Sequence, residues 1–222
     1  MFTHVDHGIV LPECTRETTA EGRKYFTPEG NTYPSITTVL SAQDKSSLEA
    51  WKKRVGKEEA QKISTQASVR GTAVHKLAED YLNNEEDWRG KHMPSNLFSF
   101  NQIKSILDDR VNNIWFQEAF LYSDYLKTAG QVDCIAEFDG KLSIIDFKTS
   151  RKLKKKEWIK NYFMQESFYA VAFEERTKKP ITQLVTIITV DGEDPQVFVE
   201  HRDDHIQDFM ELRVQYKQMK GF

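Results

Sequence analysis

The sequence predicts an α/β fold: a mixed central sheet flanked by helices, following a largely helical amino-terminal half. Three observations predict it. Residues 129–150, AGQVDCIAEFDGKLSIIDFKTS, read as two strands joined by Asp139-Gly140, a two-residue turn that hairpins favour. Residues 181–190, ITQLVTIITV, form a β-branched run suited to a core strand. Within 46–115, and again across 158–179, apolar residues recur at helical spacing.

Taken in order, residues 1–24 are polar and weakly patterned, and read as an arm or an irregular edge. His4 and His7 there read as solvated side chains rather than metal ligands. Pro28-Glu29-Gly30-Asn31, between Tyr25 and Tyr33, reads as a hairpin turn. Ser35 can cap a helix over SITTVLSAQ, although Ile36, Thr37, Thr38 and Val39 weaken it. Ser46 or Ser47 can cap a helix over 48–63. A second helix over 69–82 carries Val69, Ala73, Val74, Leu77, Ala78, Tyr81 and Leu82 on one apolar stripe, with Gly71, His75 and Glu79 on the adjacent one. Residues 83–98 read as a polar connector and 100–115 as a further helix. Glu118 sits in a strand-like run with Phe116, Phe120 and Tyr122. After the 158–179 helix and the core strand, VFVEHR reads as another strand, and Asp203 or Asp204 as the cap of an amphipathic terminal helix. The expected division is one domain over 1–222: an arm and hairpin (1–34), a helical part (35–115) and a sheet core with its terminal helix (116–222).

Composition narrows the function classes. The chain has 222 residues, 39% hydrophobic, with a net charge of −3, so any attraction to phosphate must come from a local patch. Cys14 and Cys134 belong to no C-x-x-C pair, which argues against a disulfide framework or a zinc ribbon and fits a reducing cytoplasmic setting. No run of 18 apolar residues and no signal-peptide pattern is present, so neither a membrane partner nor secretion is expected.

The chemistry concentrates in the hairpin. With Asp139-Gly140 as the loop, Phe138 faces Lys141, and the same register sets Asp133 opposite Asp146, Cβ atoms about 5 Å apart. Lys148 points to the same face as Asp146. The flanks Val132, Ile135, Ile144, Ile145 and Phe147 are apolar, so two unpaired carboxylates there must raise a pKa or take up a cation. A hard divalent ion such as Mg²⁺ answers that cost with oxygen ligands and substrate phosphate. A solvated surface hairpin is the plainer alternative. Six of the ten residues from Arg151 to Lys160 are basic, among them Lys152 and Lys154, and can guide a phosphate backbone or form a solvated face. Lys52, Lys53, Arg54, Lys57, Lys62 and Arg70 offer the same two readings.

The pattern V-D, strand-turn-strand, I-I-D-F-K-T-S resembles the core of the PD-(D/E)xK nucleases, in particular the RecB-like branch, which includes phage-encoded exonucleases and a mitochondrial genome maintenance exonuclease. R-G-T-A-V-H resembles the branch's G-x-x-x-H motif, which implies His75 as a metal ligand. Gln165 and Tyr169 resemble its Q-x-x-x-Y motif, which implies that they shape the site and contact DNA. Glu118, 15 residues before Asp133, matches the glutamate many members carry on the preceding strand. The resemblance implies a PD-(D/E)xK (restriction-endonuclease-like) core and a DNA exonuclease dependent on Mg²⁺ or Mn²⁺. Asp133, Asp146, Lys148 and Glu118 would be catalytic. His75, Asp133, Asp146 and the Phe147 carbonyl would hold metal, and Gln165, Tyr169, Arg151, Lys152 and Lys154 would contact substrate. Single-stranded or end-containing DNA is the expected partner, with replication, recombination or repair proteins beside it, and a phage origin in a bacterial host cell is in keeping. A structure-specific endonuclease and a non-catalytic nucleic-acid-binding accessory protein are the alternatives. Two cysteines exclude the four-ligand iron–sulfur cluster of Cas4-like enzymes.

Overall fold

Asp139 and Gly140 have φ of 52° and 76°, the two positive values that a type I′ turn needs, and they join the two central strands of the molecule. The computed structural model describes residues 1–43 and 46–221; the side chain of Ser47, one of two expected caps, lies outside the described residues. Strands β1 (Thr15–Thr19), β2 (Gly22–Phe26) and β3 (Thr32–Pro34) form a small antiparallel sheet, with Tyr25 opposite Tyr33 across the Pro28–Asn31 turn. Helices α1 (Ile36–Leu40), α2 (Ser46–Val55), α3 (Lys57–Leu82) and α4 (Pro94–Arg110) follow. Then come β4 (Val111–Ser123), β5 (Thr128–Phe138), β6 (Lys141–Ser150), α5 (Lys160–Thr177), β7 (Gln183–Val190), β8 (Gln196–His201) and α6 (Ile206–Lys220).

The main sheet is mixed, in the order β4-β5-β6-β7-β8. Only β6 and β7 pair in parallel, because α5 carries the chain back across one face between them. On that face Ile144, Leu184, Phe168, Phe173 and Phe209 form a core with α1 and α6. On the other, Leu77, Leu82, Phe100, Ile103 and Leu107 of α3 and α4 cover Cys134, Phe138, Ile145, Val185 and Ile187. Both cysteines are free and buried, and among the described residues no helix is long and apolar enough to cross a membrane.

Several expectations shift. The break between α2 and α3 falls at Gly56 (φ 88°), so the two expected helices over 48–63 and 69–82 become a short helix and one of 26 residues. Val69 is 62% exposed, in an open cleft beside Met93 and Phe98, and does not join the buried stripe. Helix α4 starts at Pro94, inside the expected connector, and stops at Arg110, so residues 111–115 belong to the sheet. Ile103, Leu107, Val111 and Ile114 keep helical spacing across that junction because all four face the same core. Ser35 caps α1 as expected, its Oγ accepting from Thr38 N at 3.0 Å. Asp203 and Asp204 lie in a 3-10 turn; the residue before α6 is His205, whose ring meets Glu200 instead of capping the helix. The first residues pair along β4, and His4 and His7 bond to the carbonyls of Leu82 and Trp115 at 2.9 and 3.1 Å, which fixes them as structural.

Candidate active site

Strands β5 and β6 pair only from Phe138–Lys141 to Cys134–Ile145, the register set by Asp139-Gly140. The expected next pair, Asp133 with Asp146, does not form. From there β5 continues along β4 and β6 along β7, so the two central strands part and leave a fork. The physical reason is local. Two carboxylates opposite each other repel, and Asp133 Oδ2 instead accepts the Phe147 amide at 3.0 Å. Opposite Asp133 on β4, Glu118 takes φ 50°, an uncommon value for a side-chain-bearing residue, and its carbonyl accepts from Gln131 Nε2 at 2.9 Å. Alternation along β5 breaks at the same place: Val132 joins the α5-side core, whereas Cys134, Ala136 and Phe138 join the opposite one. The site therefore sits in the opening between strands, not on a flat face of the sheet.

Each side chain of the fork has a separate support. His75, on α3, sets Nδ1 3.2 Å from Asp133 Oδ2. His75, Glu118 and Asp133 bring ligand atoms within 4.8 Å of one another. Gly71, Thr72, Lys76 and Glu79 complete an open cleft of about 430 Å³ beside them. A Cβ on Gly71 would meet only Thr149 Oγ1, at 3.9 Å, so the space one turn before His75 faces the cleft rather than a packed neighbour. Asp146 lies outside the His75 cluster and is engaged by the Lys148 ammonium through Oδ2. Gln165 Nε2 reaches Asp146 Oδ1 at 3.5 Å and the Tyr169 hydroxyl at 3.3 Å, and that hydroxyl donates to Gln131 O at 2.8 Å. Tyr169 is buried, with its hydroxyl turned to the backbone of β5. Arg151 bonds Gln66, Lys152 is exposed, and the Lys154 backbone is held by Gln196. Arg70 is tied to Asp191 at 2.6 Å and is a structural link rather than a free cation.

The electrostatics separate the acids. Burial pushes Asp133 up, but the imidazole and hydrogen bond of His75, with Lys148 and the Phe147 amide, outweigh it and hold the carboxyl below its usual range. Burial drives Asp146 to about 6, Lys148 pulling it down and Asp133 pushing it further up. Glu118 is raised to about 7 by burial first, then by Asp133 and Glu79. Burial disfavours the charge of Lys148, yet Asp146 and Asp133 keep it firmly protonated, and His75 is raised for the same reason, Asp133 overcoming its burial. Burial and mutual repulsion thus drive adjacent acids apart, an arrangement that active sites share with structural ion-pair networks.

Sequence reasoning missed Glu166. It is fully buried on α5, accepts from Thr186 Oγ1, and burial raises its pKa well above the ordinary carboxyl value, with Asp146 adding to the shift. Thr186 pairs with Asp146 across β6 and β7, which sets this neutral acid next to the fork. Its signal was there: Phe163, Glu166, Ala170 and Phe173 share one helical face, a lone acid on an apolar stripe.

A divalent cation fits this donor set. The imidazole of His75 with the two carboxylates of Glu118 and Asp133 suits a hard or borderline ion, and the buried Asp146 Oδ2, with the Lys148 ammonium against it, lies beside them.

The model of the PD-(D/E)XK nuclease superfamily matches residues 48–219. The chain belongs to that superfamily. It is also similar to mitochondrial genome maintenance exonuclease 1 of Mus musculus, 30% identical over 132 residues, covering 56% of this chain and 39% of the relative. The Homo sapiens protein of that name is 33% identical over 135 residues, covering 56% and 38%. The chain thus spans about two fifths of the length of these curated relatives. A crystal structure from Eubacterium rectale described as a candidate exonuclease aligns with a TM-score of 0.43 and 11% identity, covering 67% of this chain and 65% of that one.

Proposed function

We propose that this nuclease-superfamily chain is a metal-dependent DNA exonuclease acting on single-stranded or end-containing DNA. The observation that carries the reading is the fork: Asp133 pinned on the Phe147 amide, His75 and Glu118 beside it, and Asp146 paired with Lys148 at the parting of β5 and β6. His75, Glu118, Asp133 and Asp146 would hold Mg²⁺ or Mn²⁺, with the Phe147 carbonyl as a further ligand by family resemblance. Such an ion supplies a Lewis acid for the phosphate and a water of lowered pKa.

The protein's own groups do the rest. Lys148, kept protonated, would meet a phosphate oxygen and stabilise charge that develops there. Gln165 orients Asp146, and Tyr169 anchors Gln165 on the backbone of β5. The exposed cations Arg151 and Lys152, with Lys154, would draw the phosphodiester backbone toward the fork. The exonuclease reading also leans on the names of the curated relatives, and replication, recombination or repair is the setting in which such an activity works.

The test uses single-stranded DNA labelled at one end, then at the other, with Mg²⁺ or Mn²⁺. Metal-dependent shortening that a blocked end prevents, and that Asp146→Ala abolishes, is expected. Cleavage of a circular single strand would replace the exonuclease with an endonuclease. Tight DNA binding without any hydrolysis would replace both with the accessory-protein reading.

A further inference from the structure

Residues 150–160 leave the fork from the end of β6 and carry a tryptophan that the fold does not use. Trp158 is 64% exposed, although burying an indole is among the larger gains a side chain can offer. It is not exposed through slackness of the chain. Ser150 Oγ donates to Lys152 O at 2.6 Å, and the Gln196 amide clasps Lys154 at both N–H (2.7 Å) and C=O (3.0 Å). Lys156 pairs with Glu200 at 2.7 Å, and Ile159, the next residue after Trp158, is locked into a core with Phe163, Ile188 and Val190. A pinned backbone thus presents an indole to solvent.

Its surroundings define what it would meet. Lys155 Nζ lies 5.2 Å from the Trp158 ring, and Arg151, Lys152 and Lys160 are exposed in the same segment, which holds the single acid Glu157. Four residues on, the Tyr162 ring lies 5.2 Å from Lys148 Nζ, so the segment is continuous with the fork. An aromatic face among cations, leading from a phosphate-cleaving site, matches a base above and phosphates beside it.

We propose that Trp158 is a base-stacking platform for single-stranded nucleic acid, with Lys155, Lys160 and Lys152 taking the flanking phosphates, and that it holds the strand whose scissile phosphate reaches Lys148. This rests on the nuclease reading above. The binding is sequence-tolerant, since every base offers a π face.

The test measures binding of labelled oligothymidine, and separately oligouridine, in EDTA so that nothing is cut. Trp158→Ala should weaken binding about 5- to 150-fold, the effect of losing one stacked base. Trp158→Phe should stay within a few-fold of wild type. On an abasic strand of equal length, wild type and Trp158→Ala should bind alike. Lys155→Ala should keep the preference for bases but reduce the slope of log Kd against log salt by about 0.7. With metal present, Trp158→Ala should raise KM and spare kcat. An unchanged thermal midpoint is expected, because the ring lies outside the core. The proposal is overturned if wild type binds oligothymidine and Trp158→Ala binds it equally well, or if Phe98→Ala in the α3–α4 cleft has the effect expected of Trp158→Ala. Failure of wild type to bind any single strand would overturn the nuclease reading along with it. Equal response to oligouridine extends the platform to RNA; response to oligothymidine alone confines it to DNA.

Discussion

Metal binding should tighten steeply between pH 6 and pH 8, and Glu118 should be one of the causes. Its carboxyl titrates at about 7, raised by burial and by Asp133 and Glu79. To ligate a cation it must lose its proton, and roughly a tenth of it is ionised at pH 6 against roughly nine tenths at pH 8, so the apparent Kd falls about 10-fold from this group alone. Asp146, at about 6, adds about another 2-fold if it ligates too, since roughly half of it is protonated at pH 6. Asp133, held low, is already ionised and adds nothing, whereas His75, raised by Asp133, pushes the same way because only its neutral ring ligates. In the metal-free protein the sign is opposite. The folded value of Glu118 lies above its ordinary 4.5, so its contribution to stability is complete below that pH and is lost as the pH rises through about 7. Calorimetric titration with Mn²⁺ at both pH values, in two buffers of different ionisation heat, reads both affinity and protons released. Glu118→Gln should lose about 10-fold of the pH dependence and keep the remainder. A flat affinity in wild type, or an undiminished slope in Glu118→Gln, would refute the assignment of Glu118 and the burial argument behind it.

Other outcomes follow from the same geometry. Asp133→Asn and Asp146→Asn should each lower kcat by at least about 100-fold with far-ultraviolet circular dichroism unchanged, because each removes a carboxylate charge proposed to hold the cation beside the reacting phosphate. Gly130→Ala should destabilise by about 1–3 kcal/mol in urea titrations, since its Cβ would lie 2.8 Å from Tyr169 Cε1 and 2.9 Å from Ile36 Cγ2, and it should also lower activity by shifting Tyr169. Glu166→Gln should be nearly as stable as wild type below the ordinary carboxyl value of 4.5 and should gain on it as the pH rises above that, because the buried acid, raised above 4.5, keeps a proton that the unfolded chain releases, whereas glutamine does not titrate. Equal pH profiles of urea midpoint for the two proteins would show that Glu166 is charged in the fold.

Much of the fork was legible because Asp139-Gly140 sets a register that runs unbroken to Cys134–Ile145. What the register could not show is where it stops. Asp133 trades its cross-strand partner for the Phe147 amide, and Glu118 turns through positive φ opposite it, and neither event leaves a mark in local propensity. His75, Gln165 and Tyr169 were singled out by resemblance to the G-x-x-x-H and Q-x-x-x-Y motifs, helical spacing showing only which of them share a face, and each reaches the fork region: His75 contacts Asp133, Gln165 contacts Asp146, and Tyr169 supports Gln165. The start of β4 was not legible, because Val111 and Ile114 extend the apolar period of α4 into a strand that packs on the same core. Trp158 was hidden in a basic run; only the clasp of Gln196 and the anchor of Ile159 show that it is held out deliberately.

The account depends most on a cation in the fork, and anomalous diffraction at the manganese edge from crystals grown with Mn²⁺ tests that directly. A peak among His75, Glu118 and Asp133, with Asp146 turned from Lys148 to meet it, is the predicted result. A fork without a peak at saturating Mn²⁺, or a peak held by other residues, would contradict it.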